Sequence, residues 1–194
     1  MQHHIARWVS HGLNPAGVAL AVWGGWGLLY PQDRHLALLG VLFYAVLPAT
    51  SILYMMRTGR IDALYPHLRA QRNGLLLVGA VSYGVGSLAL YAADAPTLLL
   101  AAGISFAAAT LMVFFVNLRW KISIHCVGVG GAAGLLLLAF GLERAWPCLL
   151  AAGLVTWARL HLRAHTPLQV AAGLALGSGV SALSIGLLYA RWMG

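Results

Sequence analysis

Charged side chains are scarce in this 194-residue chain. Only 8% of the residues are Asp, Glu, Lys or Arg, and only four of those are acidic. Hydrophobic residues make up 61% of the chain, and the mean hydropathy is +0.83. Because so few polar side chains cannot cover a water-facing surface, the composition excludes a separate soluble domain. It predicts an integral membrane protein.

Cysteine is also rare, since Cys126 and Cys148 are the only two, and they set no disulfide framework. The formal net charge of +8 does not indicate nucleic acid binding, because the 12 Lys and Arg residues are scattered and form no contiguous stripe. We expect membrane lipids and an anionic lipid substrate as partners, and no nucleic acid. The sequence leaves open whether the chain forms a homodimer.

Apolar runs of about 20 residues recur along the chain, which is the length that a helix needs to cross a bilayer. They predict an all-α bundle of six to seven transmembrane helices that forms one membrane domain over residues 1–194. Residues 1–56 would form a short interfacial lead and two spans, and residues 57–191 a core. The predicted spans are 13–31, 36–56, 74–92, 97–118, 123–141, 146–162 and 167–191.

Basic residues are unevenly divided between the two membrane faces that these spans define. The N-terminus and the loops at 57–73, 119–123 and 162–166 share one face, which holds nine of the 12 Lys and Arg residues. These nine are Arg7, Arg57, Arg60, Arg69, Arg72, Arg119, Lys121, Arg159 and Arg163. The positive-inside rule favours a cytoplasmic position for this face. The preference is slight, because several of the nine residues can be present to bind a substrate and not to set the topology.

The stretch from Arg159 to Gly173 gathers two Arg and two His at the junction of two apolar runs. Ionisable side chains are costly at the edge of a membrane span, so their presence indicates a functional site. Thr166-Pro-Leu-Gln169 has the spacing of a capping box, with proline at the first helical position. Two more helices are expected to start on this face, after Asn73 and Ser123. Helix N-termini beside Arg side chains favour a compact anion such as phosphate.

His125 and His165 suit chemistry on a bound phosphate. An imidazole titrates near neutrality, so one can attack phosphorus while the other donates a proton to the departing alcohol. Arg159, six residues before His165, matches phosphoryl oxygens bidentately and stabilises developing charge. The pattern predicts phosphoryl transfer without a metal or another cofactor.

Arg159-x5-His165-x3-Gln169 resembles the third signature of the type-two phosphatidic-acid phosphatase superfamily, which also contains the vanadium haloperoxidases. That signature is Ser-Arg, five residues, His, three residues, Asp. Ser123-Ile124-His125 is similar to the second signature, Pro-Ser-Gly-His. The resemblance covers residues 57–191. It implies hydrolysis of a lipid phosphate, such as phosphatidic acid or a polyprenyl phosphate, in the inner membrane of a bacterium.

The resemblance also implies a role for each matching position. His165 would be the nucleophile that forms a phosphohistidine, and His125 the acid that protonates the leaving group and then the base for water. Gln169 would orient His165. The implied phosphate-binding residues are Arg159, Ser123, Arg72 and, from outside the signatures, Lys121.

Several positions depart from the family pattern. Gln169 stands where the family has Asp, while Tyr65 and Asn73 stand at the Lys and Pro of a first signature that places Arg72. Glutamine accepts a hydrogen bond from the imidazole Nδ1–H but adds no negative charge to the forming imidazolium. A catalytically silent lipid-phosphate-binding protein on the same scaffold is therefore the alternative. Gln169 would equally complete the capping box.

His161 and His165, four residues apart on one helical face, offer a second alternative. With His125 they would ligate a metal ion or haem. Pro167 weighs against this interpretation, because it should break the helix close to His165. His161 and Arg163 fit positions at head-group depth better than positions in a site.

Overall fold

The computed structural model describes residues 1–61 and 69–193, with side chains described for residues 1–61 and 71–189. This part of the chain is all-helical, and the sequence prediction of an all-α fold is confirmed. We number its helices α1 to α8. They are α1 Gln2–Gly12, α2 Pro15–Leu29, α3 Pro31–Arg57, α4 Arg69–Ala92, α5 Thr97–Asn117, α6 Ile124–Phe140, α7 Leu142–His161 and α8 Pro167–Met193.

Four segments of the described chain are long and apolar enough to cross a membrane: Pro31–Arg57, Gln71–Ala92, Thr97–Asn117 and Pro167–Tyr189. Helices α2 and α6 are apolar but shorter. The fold is thus that of a helical membrane protein, as the composition predicts. The helix ends lie within a few residues of the predicted spans.

Glycines bring α6 and α8 together in the most extensive helix contact of the fold. A β-carbon on Gly130 would meet the backbone of Leu174, and one on Gly177 would meet the backbone of Val127. Gly134 and Gly173 are equally tight, against Ser178 and Ser123. Each helix carries two of these glycines four residues apart, a spacing that lets helix backbones approach closely in a membrane. Because α6 carries His125 and α8 begins just after His165, this contact sets how far apart the two imidazoles lie.

An aromatic cluster, Trp23, Tyr44, Tyr83 and Phe106, fills the middle of the bundle. Tyr44 lies in a π-helical turn of α3, Leu42–Val46, and stacks on Trp23 and Tyr83 at centroid distances of 4.8 Å and 5.1 Å. Its hydroxyl donates to the Tyr83 carbonyl at 3.1 Å and lies 2.8 Å from Ser87 Oγ. The cluster joins α2, α3, α4 and α5 below the face that bears the predicted site.

The helix starts on that face differ in part from expectation. The capping box at α8 is confirmed, since Gln169 N donates to Thr166 Oγ1 at 3.3 Å and Thr166 N donates to Gln169 Oε1 at 3.2 Å. Ser123 is the N-cap residue of α6, but its side chain makes no capping hydrogen bond. The predicted start after Asn73 is wrong, because the described residues are already helical at Arg69. Asn73 instead accepts a hydrogen bond from Asn117 Nδ2 at 2.7 Å, which ties α4 to α5.

Candidate functional site

A cavity of about 810 Å³ opens among the helix ends on this face and extends towards the aromatic cluster. Its inner wall is apolar and includes Tyr83, Phe106 and Leu135. Its outer wall is basic, and no described carboxylate lines it. The basic lining residues are Arg7, His11, Arg72, Lys121, His125, Arg159, Arg163 and His165. We call Arg72, Lys121, His125, Arg159 and His165 the basic end.

Backbone carbonyls hold two cations of the basic end in place. Arg72 Nη2, on α4, donates to the Ile122 carbonyl just before α6 at 3.2 Å. Lys121 Nζ donates to the Ala164 carbonyl between α7 and α8, also at 3.2 Å. These bonds join loops that are remote in the chain. They tie α4 to the segment before α6, and that segment to the loop between α7 and α8.

Both guanidinium groups of the basic end are deeply buried. Arg72 is 6% exposed and Arg159 is 9% exposed. Arg72 Nη1 has no hydrogen-bond partner among the described residues. Because a buried, unpaired N–H group of a cation is costly, Arg72 Nη1 favours an anion in the cavity.

The hydrogen bond between His165 and Gln169 selects the imidazole tautomer. His165 Nδ1 lies 3.1 Å from Gln169 Oε1, which also accepts the Thr166 N–H. An atom that accepts from a backbone N–H must be the amide oxygen, so His165 Nδ1 carries the proton and donates it. The lone pair is then on Nε2, where a nucleophile needs it. Gln169 thus caps α8 and orients His165 at the same time.

Burial and the neighbouring cations hold His165 in its neutral form. Burial is the largest cause that lowers the pKa of His165 from 6.5 to about 4, and the charge of Arg159 follows. Lys121 and Arg72 lower it further, while the hydrogen bond to Gln169 raises it. Burial, then Arg72 and Arg159, also lower the pKa of Lys121. The basic end is therefore a region of strong positive potential around a neutral imidazole.

Ser10 of α1 contacts both His125 and Arg159, although the sequence does not single it out. The Ser10 carbonyl accepts from His125 Nε2 at 3.1 Å, and Ser10 Oγ accepts from Arg159 Nη1 at 2.7 Å. Ser10 is buried with Ala6, one helical turn earlier, while most of α1 is exposed. The four-residue spacing of these two small residues is the signal that could have found it.

Two of the site residues predicted from the sequence, Ser123 and Gln169, do not line the cavity. Ser123 is fully buried, and its Oγ has no nitrogen or oxygen partner among the described residues. Tyr65 lies outside the described residues. Three cavity residues escaped the sequence interpretation as site residues, namely Arg7, His11 and Arg163.

His161 faces away from this group. Its ring stacks on Trp157 at 5.4 Å between centroids and lies 6.2 Å from the ring of His3. The described residues contain no cluster of three His, Cys, Asp or Glu side chains that could hold a metal ion. No contact in this part of the chain favours a metal or haem site built on His161.

Comparison with protein-family models, curated proteins and solved structures gives no match to this chain.

Proposed function

We propose that this protein is a membrane phosphatase that hydrolyses the phosphomonoester or diphosphate of a lipid through a phosphohistidine, without a metal ion. The observation that supports it most is the cavity, which has two histidines and three buried or half-buried cations at one end and an apolar wall beyond them. The basic end suits a phosphoryl group, and the apolar wall suits a hydrocarbon chain.

The chemistry would proceed in two balanced steps. His165 Nε2 attacks phosphorus, an N–P bond forms, and the bond to the lipid oxygen breaks while the imidazolium form of His125, which the bound phosphate anion favours, donates a proton to that oxygen. His125 then takes a proton from water, whose oxygen attacks phosphorus, and the N–P bond breaks to release inorganic phosphate and neutral His165. Arg72, Arg159 and Lys121 would bind the phosphoryl oxygens and stabilise the charge that develops on them. Ser123, buried behind the wall, would support this pocket.

Substrate binding would exchange partners at Ser10. The N–H of His125 and one N–H of Arg159 now bind oxygen atoms of Ser10. Phosphoryl and leaving-group oxygens are acceptors of the same kind and carry more negative charge. We therefore expect a lipid phosphate to displace Ser10 from both groups.

We also propose that seven helices, α2 to α8, cross the membrane, with α1 lying at the interface. Besides the four long apolar segments, α2 and α6 have 15 and 17 residues, which span about 22 Å and 25 Å. Helix α7, with 20 residues, is long enough to cross. We place the protein in a bacterial inner membrane, with the basic end towards the cytoplasm.

A catalytically silent lipid-phosphate-binding protein is the second candidate. Gln169 favours it, because a neutral amide fixes the tautomer of His165 but does not stabilise its positive charge in the transition state. Such a protein would bind the same ligands through the same cations and release no phosphate.

The experiment that separates the two measures phosphate release from phosphatidic acid, lysophosphatidic acid and polyprenyl phosphates in detergent, with a chelator present. The phosphatase predicts release that survives the chelator and disappears in His165→Ala. The matched control is His161→Ala, which removes a histidine stacked on Trp157 outside the cavity. Phosphate binding without release from any lipid would establish the silent protein instead.

A further inference from the structure

Helix α1 lies against the basic end and contributes two residues, Arg7 and His11, to the cavity wall. It packs mainly on α7. Its buried face is small, because only Ala6 and Ser10 are buried, at 0% and 3% exposed. An alanine and a serine remove little apolar surface from solvent. The attachment of α1 to the rest of the bundle therefore depends strongly on the two hydrogen bonds of Ser10.

These two hydrogen bonds differ in how they can be broken. Ser10 Oγ can leave Arg159 by a rotation of the serine side chain. The Ser10 carbonyl belongs to the last turn of α1, where carbonyls lack a partner within the helix, and His125 Nε2 completes it. His125 is 4% exposed, whereas most of α1 is exposed, so α1 is the partner with room to move. Release of His125 for a leaving-group oxygen therefore requires that α1 lifts.

The outer face of α1 carries apolar side chains that no part of the bundle covers. Ile5 is 48% exposed and Trp8 is 78% exposed, and their spacing of three residues places them on one side of the helix. The ionisable side chains of α1 are all basic, namely His3, His4, Arg7 and His11. Such a combination is typical of a helix that binds the head-group layer of a membrane. Charge complementarity selects an anionic lipid surface as the partner.

We propose that α1 is a lid over the basic end, and that binding of its outer face to anionic head groups lifts Ser10 away from His125 and Arg159. This inference rests on the proposed lipid-phosphate site and adds regulation by the surrounding membrane. The hinge is Leu13 and Asn14, the two residues between α1 and α2. Two hydrogen bonds favour the closed position and two large apolar side chains favour the open one, so the opposing energies are of similar size.

A thiol at position 6 reports the position of the lid. Because Ala6 is fully buried beneath α1, a cysteine there reacts with a water-soluble maleimide only when α1 lifts. Ala6→Cys should be labelled at least about fivefold faster in vesicles that contain phosphatidylglycerol than in vesicles of phosphatidylcholine alone. Thr58→Cys, exposed at the end of α3, is the matched control and should be labelled at similar rates in both. The unsubstituted protein measures the background from its own two cysteines.

Substitutions on the two faces of α1 should have opposite effects on phosphate release in phosphatidylglycerol vesicles. Trp8→Ser weakens the outer attachment, so release from a lipid phosphate should fall about tenfold. Ala6→Leu places a large side chain where α1 leaves no space, and it should hold the lid open. The double variant Ala6→Leu/Trp8→Ser should therefore regain most of the lost rate. A Trp8 that served only folding would not be rescued in this way.

Labelling does not depend on catalysis, so it separates this inference from the proposed function. If no lipid phosphate releases phosphate, the phosphatase fails. The lid still stands if labelling of Ala6→Cys rises with phosphatidylglycerol and that rise disappears in Ala6→Cys/Trp8→Ser. Equal labelling of Ala6→Cys in both kinds of vesicle would overturn the lid, whether or not the protein is an enzyme. A rise that Trp8→Ser leaves unchanged would overturn the role of the outer face and with it the proposal.

Discussion

The aromatic cluster, of which Tyr83 and Phe106 line the cavity, and the basic end differ in how two of their buried polar groups are satisfied. The Tyr44 hydroxyl has two partners within the protein, a carbonyl and a serine. The basic end instead gathers cations with no described carboxylate beside them, and Arg72 Nη1 has no hydrogen-bond partner among the described residues. Tyr83 follows Arg72 by eleven residues on α4, a rise of about 16 Å. One helix thus links the satisfied hydroxyl of Tyr44 to a buried guanidinium that keeps an unpaired N–H group.

The largest effect on the basic end is expected from His165→Ala. We expect phosphate release to fall at least about 10³-fold, because the nucleophile is removed, while binding of phosphate to the cations persists. His161→Ala should stay within about twofold of the unsubstituted rate. Initial rates and phosphate binding by calorimetry measure both. A His165→Ala protein that keeps its rate would remove this imidazole from the mechanism.

Gln169→Glu should sharpen the comparison by supplying the basic end with a negative charge. Glutamate has the length of glutamine, so it can keep the capping bond and the bond to His165 Nδ1. Because a carboxylate stabilises the imidazolium that forms in the transition state, kcat should rise at least about tenfold. Gln169→Met, which removes the acceptor, should lower kcat. An unchanged rate in both variants would mean that residue 169 does not act through His165.

The dependence of kcat/KM on pH reports the charge state of His165. Its pKa is lowered to about 4, so the imidazole is neutral and able to attack above that pH, and the acidic limb of the activity profile should lie near pH 4. In the unfolded chain this imidazole would titrate at its ordinary pKa of 6.5. The lowered pKa in the folded protein therefore contributes to the free energy of unfolding above pH 6.5, and the contribution is lost as the pH falls from 6.5 to about 4.

Gln169→Glu should move the acidic limb to higher pH, since a carboxylate favours the protonated imidazole. Ionisation of the substrate is the same for both proteins, so the shift between their profiles isolates the enzyme. A limb near pH 6.5 in the unsubstituted protein, unmoved by Gln169→Glu, would contradict the assignment.

Arg72→Met tests the basic end, and Tyr44→Phe tests the aromatic cluster. Arg72→Met removes a buried cation, so phosphate binding should weaken at least about tenfold while the free energy of unfolding changes by less than about 1 kcal/mol. Tyr44→Phe removes a satisfied hydroxyl, so the protein should lose about 1 kcal/mol and keep its phosphate affinity. Denaturant titration and calorimetry together measure this pair. An Arg72→Met protein that loses stability and keeps its phosphate affinity would contradict the comparison. So would a Tyr44→Phe protein that loses phosphate affinity and keeps its stability.

Features with a short sequence period could be predicted, because they depend on neighbours along one helix. The glycine pairs of α6 and α8 and the capping box at Thr166 and Gln169 belong to this class. Ser10 could not be predicted as readily, since its partners are 115 and 149 residues away in the chain. The side-chain bond between Asn73 and Asn117 is also long-range, since 44 residues separate the two in the chain.

The position of Arg163 also escaped the sequence interpretation, for a different reason. A basic residue in a membrane loop is usually explained by topology, and nothing in the spacing shows that this one occupies a left-handed turn. Only the backbone reveals that glycine would fit better there. The phosphate chemistry that the residue types indicate stays a prediction, whereas the left-handed turn at Arg163 is visible only in the backbone.

Acid-free quenching of a single turnover, followed by mass spectrometry of the digested protein, tests the central claim most directly. We expect a phosphoryl group on His165, stable in base and labile in acid, that forms from a lipid phosphate in the presence of chelator and is absent from His165→Ala. Phosphate release with no such adduct, or with the adduct on another residue, would contradict the assignment of His165 as the nucleophile of this cavity.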